Sequence, residues 1–354
     1  MNHNYCIILA GGVGTRFWPM SRESKPKQFL VVDNSGKTLL QHTFERMSRV
    51  IDPQNIYIAT QNRYSDLVLE QLPATDADHL ILEPLNKNTA PTILSATHFI
   101  LDKDPDAVTV VTPSDHIIAE PDLFDEAIRI ATDYAATHDA LVTLGVVPTR
   151  ADTNFGYIQI SGGPSSGSAG VPIKAKTFTE KPDADLAKVF VESGEFLWNS
   201  GIFIWKGSTI IKEIERCCPE ISRAWTAAAT IDAFYAASPR ISIDYAVMEK
   251  SDKVWILPAK FRWNDVGTWN AFYEHHLRHS KGNNVSEIAG PTILKENNGD
   301  IFYSDQPRKL TVVRGLENFI IVDTDDVLLI CPRDDKTLQD TISELNLPEL
   351  EEYR

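Results

Sequence analysis

CIILAGGVGTRFWPMSRESKPKQFL, residues 6–30, runs a short apolar strand into three glycines and then into arginines, lysines and two prolines. An open parallel sheet places its ligand crevice where a strand ends in such a turn. At Gly11, Gly12 and Gly14 the main-chain N–H groups can approach phosphate oxygens with no Cβ in the way. Two common phosphate templates are absent. A dinucleotide fingerprint needs glycine where Phe17 stands, and a Walker loop needs Gly-Lys-Ser/Thr. Three glycines alone fit a tight turn equally well. Arg16 and the Lys25-Pro26-Lys27 group shift the balance, because they bring cations to a proline-stiffened backbone, as a triphosphate requires.

The pattern around this stretch is that of a sheet with crossover helices. Strands are expected at 5–10, 55–60, 79–83, 107–112 and 140–146, with helices at 38–50, 64–71, 89–101 and 121–137. Pro121 suits the first turn of the last helix, and Asp122, Asp125 and Glu126 favour its positive end. Further strands are expected near 155–161, 173–179, 197–205 and 254–261, with SGGPSSGSAG (161–170) as a flexible surface loop. From about residue 281 the texture becomes short strands (292–294, 300–303, 309–313, 319–322, 327–330) and a closing helix at 335–345. This divides the chain into 1–285 and a small β-rich piece, 286–354.

Composition narrows the function classes. The chain has 354 residues, 43% of them hydrophobic and 23% charged, with a formal net charge of -15. It reads as a soluble globular protein larger than one core. No dense Lys/Arg cluster is present, which excludes a nucleic-acid partner. MNHNY lacks a secretory start and no apolar run approaches the ~18 residues of a membrane span, so no membrane role and a cytoplasmic location are expected. Cys6, Cys217, Cys218 and Cys331 show no CxxC spacing, which fits idle thiols rather than a disulfide frame or zinc site.

Other motifs repeat the strand-then-loop layout. EPLNKNTAP (83–91) follows a strand and enters a helix capped by Asn88 or Thr89. VVTPSDHII (110–118) puts Asp115 just past an apolar strand, and WNDVGTW (263–269) puts Asp265 in a loop. Either aspartate can cap a turn. Together they offer two hard oxygen ligands to a magnesium ion that keeps waters and phosphate oxygens elsewhere. FTEKP (178–182) places Glu180 and Lys181 at a strand end, and FLWNSGIFIW (196–205) sets Asn199 among aromatic and small residues. In SIDYAVMEK (242–250), Asp244 fits a helix cap as well as a site.

GGVGTRFWPMSRESKPKQF resembles the signature loop of sugar-phosphate nucleotidyltransferases, in the form carried by mannose-1-phosphate guanylyltransferases. The other motifs follow in that family's order, and RKLTVVRGLENFIIVDTDDVLLICPRDD resembles its C-terminal β-helical segment. The resemblance implies an α/β fold: a Rossmann-like, GT-A-like mixed, mainly parallel sheet flanked by helices, with a small left-handed β-helix-like domain. It implies that Ala10, Gly11, Gly12, Gly14, Thr15, Arg16, Glu83, Asn88, Ala90 and Ser114 bind nucleotide. Gly156, Glu180, Lys181 and Asn199 are implied at the sugar phosphate, and Asp115 and Asp265 at the catalytic Mg²⁺. Arg16 and Lys27 are implied at the triphosphate. In the base-recognition segment the chain has Asn86 and Lys87 where the family usually has glycine and arginine.

The expected reaction joins GTP and mannose 1-phosphate into GDP-mannose and pyrophosphate. A phosphomonoester is largely ionised near pH 7, which explains why no Ser/His/Asp or Cys/His constellation is found. A homodimer is what the family suggests. Longer members continue into an isomerase domain, and no isomerase activity is inferred here. The same chemistry on another hexose phosphate or nucleotide stays open, as does a non-catalytic GDP-mannose-binding regulator.

Overall fold

Runs of apolar and β-branched residues such as YCIIL and VTVVT bury both faces of a strand, which only a covered sheet interior permits. In the computed structural model, which describes residues 3–33, 35–162, 170–277, 282–335 and 337–354, these runs form the centre of a nine-stranded sheet. Its first half is parallel. Strands β1 (Asn4–Leu9), β2 (Ile56–Gln61), β3 (Leu80–Glu83) and β4 (Val108–Pro113) lie in the order β3-β2-β1-β4.

Order reverses between β1 and β4, whose ends align as Leu9 against Pro113. Such a switch point opens a crevice at the carboxyl ends of the strands. The two sequence motifs that follow β1 and β4 start there.

The second half is mostly antiparallel. β5 (Leu141–Val146), β6 (Tyr157–Ile160), β7 (Ile173–Thr179), β8 (Phe196–Lys206) and β9 (Val254–Pro258) extend the order as β4-β8-β5-β9-β7-β6. The long β8 runs antiparallel to β4, β5 and β6, so it binds the two halves into one sheet. β9, expected to reach residue 261, ends at Pro258.

Helices α1 (Leu39–Ser48), α2 (Ser65–Gln71), α3 (Thr89–Leu101) and α4 (Pro121–Thr137) connect the first strands. α3 and α4 take the bounds that the sequence predicts. Asn88 Oδ1 accepts the Thr89 N–H at 2.9 Å and fixes the start of α3, while Pro121 opens α4. Helices α5 (Ala184–Ser193), α6 (Gly207–Cys217), α7 (Pro219–Ala227) and α8 (Ile231–Ala237) follow.

The chain gathers into two compact units, each discontinuous in sequence. The first holds the sheet: the chain through Gly11, Leu40–Ser114 and Ile118–Trp263. The second holds Gly12–Leu39, Asp115–Ile117 and Asn264–Arg354, so the signature loop belongs with the C-terminal strands.

In the second unit α9 (Trp269–Leu277) precedes a coil of short strands. β10 (Val285–Ile288), β12 (Ile301–Ser304) and β14 (Phe319–Asp323) pair in parallel, and β11 (Thr292–Lys295) pairs in parallel with β13 (Thr311–Arg314). The stride is 16 residues at the first step, Val285 against Ile301, and 19 at the next, Ile301 against Ile320 and Thr292 against Thr311. This stacking is β-helical. β15 (Leu328–Pro332) closes it antiparallel to β14, and α10 (Leu338–Ser343) follows. β10 was not foreseen, because VSEI is too short to show a period. Most of the expected loop at 161–170, residues 163–169, lies outside the described residues.

One apolar core joins coil and loop. Phe17, Met20 and Leu30 of the signature segment pack with Trp269, Phe272, Val285, Ile301 and Ile320. Phe17 is fully buried and stacks on Trp269 with ring centroids 4.4 Å apart. Phe17→Ala should therefore destabilise this unit by about 3–5 kcal/mol. Val31→Ala, at a side chain 41% exposed, should change stability by less than about 0.5 kcal/mol. Denaturant unfolding compares the two, and equal effects would remove the loop from the core.

Candidate active site

The crevice end of the first unit is held by bonds to main-chain carbonyls. Ala10 N–H donates to the Ala59 carbonyl at 2.7 Å, Thr60 Oγ1 to the Ala10 carbonyl at 2.9 Å, and Gln61 Nε2 to the Gly11 carbonyl at 2.6 Å. Ser114 N–H donates to the Leu9 carbonyl at 3.1 Å, so the residues after β1 and β4 are tied together.

Glu83, at the end of β3, lies beside Gly11. A Cβ on Gly11 would stand 3.2 Å from Glu83 Oε1. Burial pushes the Glu83 carboxyl up to about 7, against a smaller opposing pull from the Thr92 hydroxyl. The segment after it is braced. Lys87 Nζ donates to the Ser238 carbonyl at 2.9 Å, near the C-terminal end of α8, where a cation is favoured. Asn88 holds φ 67°, Ala90 N–H donates to the Ile241 carbonyl, and Thr89 Oγ1 accepts the Ile243 N–H at 2.8 Å.

The second group of the first unit surrounds Gly156. Its main-chain carbonyl accepts the Asn199 N–H at 2.8 Å. A Cβ on Gly156 would come within 2.3 Å of Glu180 Oε2 and 3.2 Å of the Asn199 Cβ, so glycine makes room for both predicted residues. Glu180 Oε1 accepts from Lys181 Nζ at 2.5 Å. Lys181 itself sits at φ 48°, a conformation a non-glycine residue rarely adopts.

Asp244, whose role the sequence leaves open, belongs here. It opens a π-helical turn, Asp244–Met248, and its Oδ1 accepts from Asn199 Nδ2 at 2.9 Å. Asn199 Oδ1 accepts in turn from Thr143 Oγ1 and the Gly201 N–H, both at 3.1 Å. Burial raises both carboxyls, Glu180 to about 7 with Asp244 adding to it. Burial works against the Lys181 ammonium, but Glu180 and Asp244 outweigh it and raise its pKa.

The second unit carries the cations and the two predicted metal aspartates. Lys27 is 3% exposed, and its Nζ donates to Asp115 Oδ2 at 2.9 Å and to the Asp265 main-chain carbonyl. Burial alone would raise the Asp115 carboxyl, but Lys27 and His116 hold it below the usual carboxylate range. Gly14, at φ 74°, is shaped by the same lysine, since a Cβ there would stand 2.7 Å from the Lys27 Cβ. Thr15 and Arg16 open the short turn Thr15–Phe17 and are exposed, and a Cβ on Gly12 would meet nothing within 4 Å.

Asp265 points its carbonyl at Lys27 and turns its carboxylate to the Gly267 N–H, at 3.1 Å. A Cβ on Gly267 would stand 2.8 Å from Asp265 Oδ2, so this glycine cradles the carboxylate. Val266 between them is forced to φ 41°. Among the described residues no group of three or more His, Cys, Asp or Glu can hold a metal ion. The donors beside Lys27 are all carboxylate or carbonyl oxygens, the chemistry of a hard cation that takes its remaining ligands from water and phosphate. Asp115 and Asp265 fit such an ion. No helix among the described residues is long and apolar enough to cross a membrane.

Sequence reasoning missed Gln61 and Gly267, and it left Asp244 undecided. Gly267 stood inside a motif already singled out. Gln61 carries no local signal beyond its place at a strand end.

Comparison with known proteins identifies the family and the fold. Residues 5–282 match the model of the family described as nucleotidyl transferase. Mannose-1-phosphate guanylyltransferase of Klebsiella pneumoniae is 35% identical over 341 residues, covering 93% of this chain and 70% of that one. The Salmonella typhimurium enzyme of the same name is also 35% identical, over 94% of this chain and 70% of its own length. A Thermus thermophilus crystal structure described as a mannose-1-phosphate geranyltransferase superposes with a TM-score of 0.85. It is 29% identical and covers 97% of this chain and 99% of that one. Proteins of the nucleotidyl transferase family generally use a divalent metal.

The raised Glu83 carboxyl has a measurable sign. The folded state retains this proton up to about 7, whereas an unfolded chain loses it near 4.5. Its contribution to stability is full below 4.5 and is lost as pH rises through 7. Glu83→Gln should therefore gain stability relative to wild type between pH 5 and pH 8, read as the difference in denaturant midpoint. A difference constant with pH would mean Glu83 titrates normally.

Proposed function

Because the chain belongs to the nucleotidyl transferase family, we propose that it transfers GMP from GTP to α-D-mannose 1-phosphate, giving GDP-mannose and pyrophosphate. The observation that carries this reading is the buried Lys27 ammonium held between Asp115 and Asp265 at the base of a glycine-rich phosphate loop. The named guanylyltransferases, matched over most of the chain, support the choice of substrates.

In the proposed reaction a phosphate oxygen of mannose 1-phosphate attacks the α-phosphorus of GTP in line. The new O–P bond forms as the bond from the α-phosphorus to the α,β-bridging oxygen breaks, and pyrophosphate leaves with that electron pair. No base is required, since the attacking phosphate is already ionised. The protein's task is to position two anions and to stabilise charge spread over the reacting phosphates.

The residues divide that task. Main-chain N–H groups of Gly11, Gly12, Gly14 and Thr15 receive phosphate oxygens, and Arg16 with Lys27 steadies the departing pyrophosphate. Lys181, already raised in pKa and half exposed, holds the attacking phosphate. Glu180 and Asn199 take sugar hydroxyls near Gly156. Asp115 and Asp265 hold Mg²⁺, which when bound supplies a divalent charge to the phosphates.

Base choice follows from Glu83. Guanine presents two adjacent donors, N1–H and N2–H, that one carboxylate can accept together, whereas adenine offers an acceptor at N1. An ionised carboxylate therefore favours guanine. Burial disfavours that ionised form until a donor pair arrives, so guanine binding should draw the proton off.

Pyrophosphate release with Mg²⁺ tests the reading, crossing GTP, ATP, UTP and dTTP against mannose, glucose and galactose 1-phosphates. Release confined to GTP with mannose 1-phosphate is expected. Release with another pair would overturn the substrates, and silence with GDP-mannose still bound would favour a regulator. Lys27→Ala should lower turnover by roughly 10²–10³, by analogy with other preorganised electrostatic donors. Near-normal turnover in single-turnover assays would remove Lys27 from the mechanism.

A further inference from the structure

The phosphate loop has no helix or strand of its own between Phe17 and Lys27, so its shape comes from individual bonds. Some are internal. Phe17 N–H donates to the Gly14 carbonyl at 3.0 Å, Ser21 Oγ to the same carbonyl at 2.5 Å, and Lys27 N–H to the Val13 carbonyl at 3.2 Å. Arg22 and Lys25 exchange two main-chain bonds, each 3.1 Å, which close a tight turn.

The rest of the loop is held by residues some 300 positions later. Arg22 Nη1 and Nη2 donate to the two carboxylate oxygens of Asp326 at 2.6 and 2.5 Å. Trp18 Nε1 donates to the Tyr353 carbonyl at 2.7 Å, and Glu23 N–H donates to the Arg354 carbonyl at 3.1 Å. Asp326 sits in the turn between β14 and β15, where Thr324 Oγ1 donates to its Oδ1 at 3.0 Å and accepts the Val327 N–H at 3.1 Å.

An isolated surface ion pair contributes little, since water competes for both partners and the side chains lose freedom. This one differs in two respects. It is a planar two-point pairing of guanidinium and carboxylate, the strong form of such contacts. The Arg22 side chain is only 14% exposed, against 41% for Asp326, so water would replace the lost carboxylate poorly. Arg22 Nε also donates to the Pro19 carbonyl at 3.2 Å, which joins the pair to the loop backbone just before the turn.

We propose that Asp326 is a positioning residue for the phosphate loop, acting through Arg22 to fix the turn that delivers Lys27. The C-terminal coil thereby sets the geometry of the site without touching substrate. Asp325 and Asp305 also reach Arg22 electrostatically, but Asp326 alone makes the two-point contact in the structure. The inference rests on the proposed guanylyl transfer for its kinetic consequence, and on the loop itself for its structural one.

A double-mutant cycle tests it with Arg22→Ala, Asp326→Ala and the pair, each read by steady-state kinetics and by amide hydrogen exchange over residues 14–29. Asp326→Ala should lower kcat/KM for the nucleotide roughly three- to tenfold and leave KM for the sugar phosphate unchanged. It should also speed exchange at Glu23, Lys25 and Lys27. The double variant should be no worse than Arg22→Ala, and Asp326→Glu should recover most of the loss. Two results would overturn the proposal: additive effects with Arg22→Ala far the more severe, which would place Arg22 on the phosphates directly, or unchanged exchange in Asp326→Ala. If wild type transfers no nucleotide at all, the proposed function fails, while the exchange data still decide the clamp.

Discussion

A lysine ammonium almost fully removed from water has to be answered by charge and by hydrogen-bond acceptors, or the fold cannot keep it there. Lys27 is answered by the Asp115 carboxylate and the Asp265 carbonyl. That requirement explains several features that look unrelated in sequence. Gly14 must lack a Cβ because the Lys27 stem fills the space. Val266 must take a left-handed conformation because Asp265 gives its carbonyl to Lys27 and its carboxylate to the Gly267 N–H. Three motifs spread over more than two hundred residues therefore express one constraint.

The carboxyls of the sheet unit show the opposite imbalance. Among the described residues no cation acts on Glu83, and Glu180 and Asp244 share the Lys181 ammonium between two carboxyls. Burial without enough positive charge raises their pKa values and leaves acceptors whose demand is unmet. Glu180 Oε2 is buried with no hydrogen-bond partner among the described residues. Such groups gain from neutral donors, which a sugar hydroxyl or a purine N–H provides without bringing further negative charge. Phosphates would suit them badly and suit Lys27, Arg16 and Lys181 well. On the proposed reading, the sorting of charge along the chain is also a sorting of ligand chemistry.

Much of this was legible in the sequence where a local physical rule acts alone. α3 and α4 were placed to the residue because Asn88 and Pro121 are start signals that need no tertiary help. The parallel strands were legible because burial on both faces demands unbroken apolar runs. The strands of the antiparallel half were legible too, but not their pairing, since β8 pairs with three strands through contacts that no local period encodes. Phe17 shows the limit well. In sequence it ruled out a dinucleotide fingerprint by occupying a glycine's place. In the structure it is a core residue stacked on Trp269, and sequence spacing gives no hint of a partner so far along the chain. Asp244 read equally as a cap, and only the fold shows that its carboxylate holds the Asn199 amide instead.

The absence of any need for a base changes which residues limit such a reaction. When the nucleophile arrives already ionised, no side chain has to gain or lose a proton at the right moment, and rate depends on how closely two repelling anions are held in line. A misplacement of about 1 Å can then cost about a hundredfold. Positional accuracy in a loop without regular structure has to be imported from elements that are rigid. Here the loop that carries Arg16 and Lys27 buries Phe17, Met20 and Leu30 in the same core as the coil strands. Packing at Trp269 or Ile301 is therefore tied to the placement of a charge, although neither side chain bears one. On the proposed reading, the β-helical coil is the foundation of the loop that would receive the phosphates.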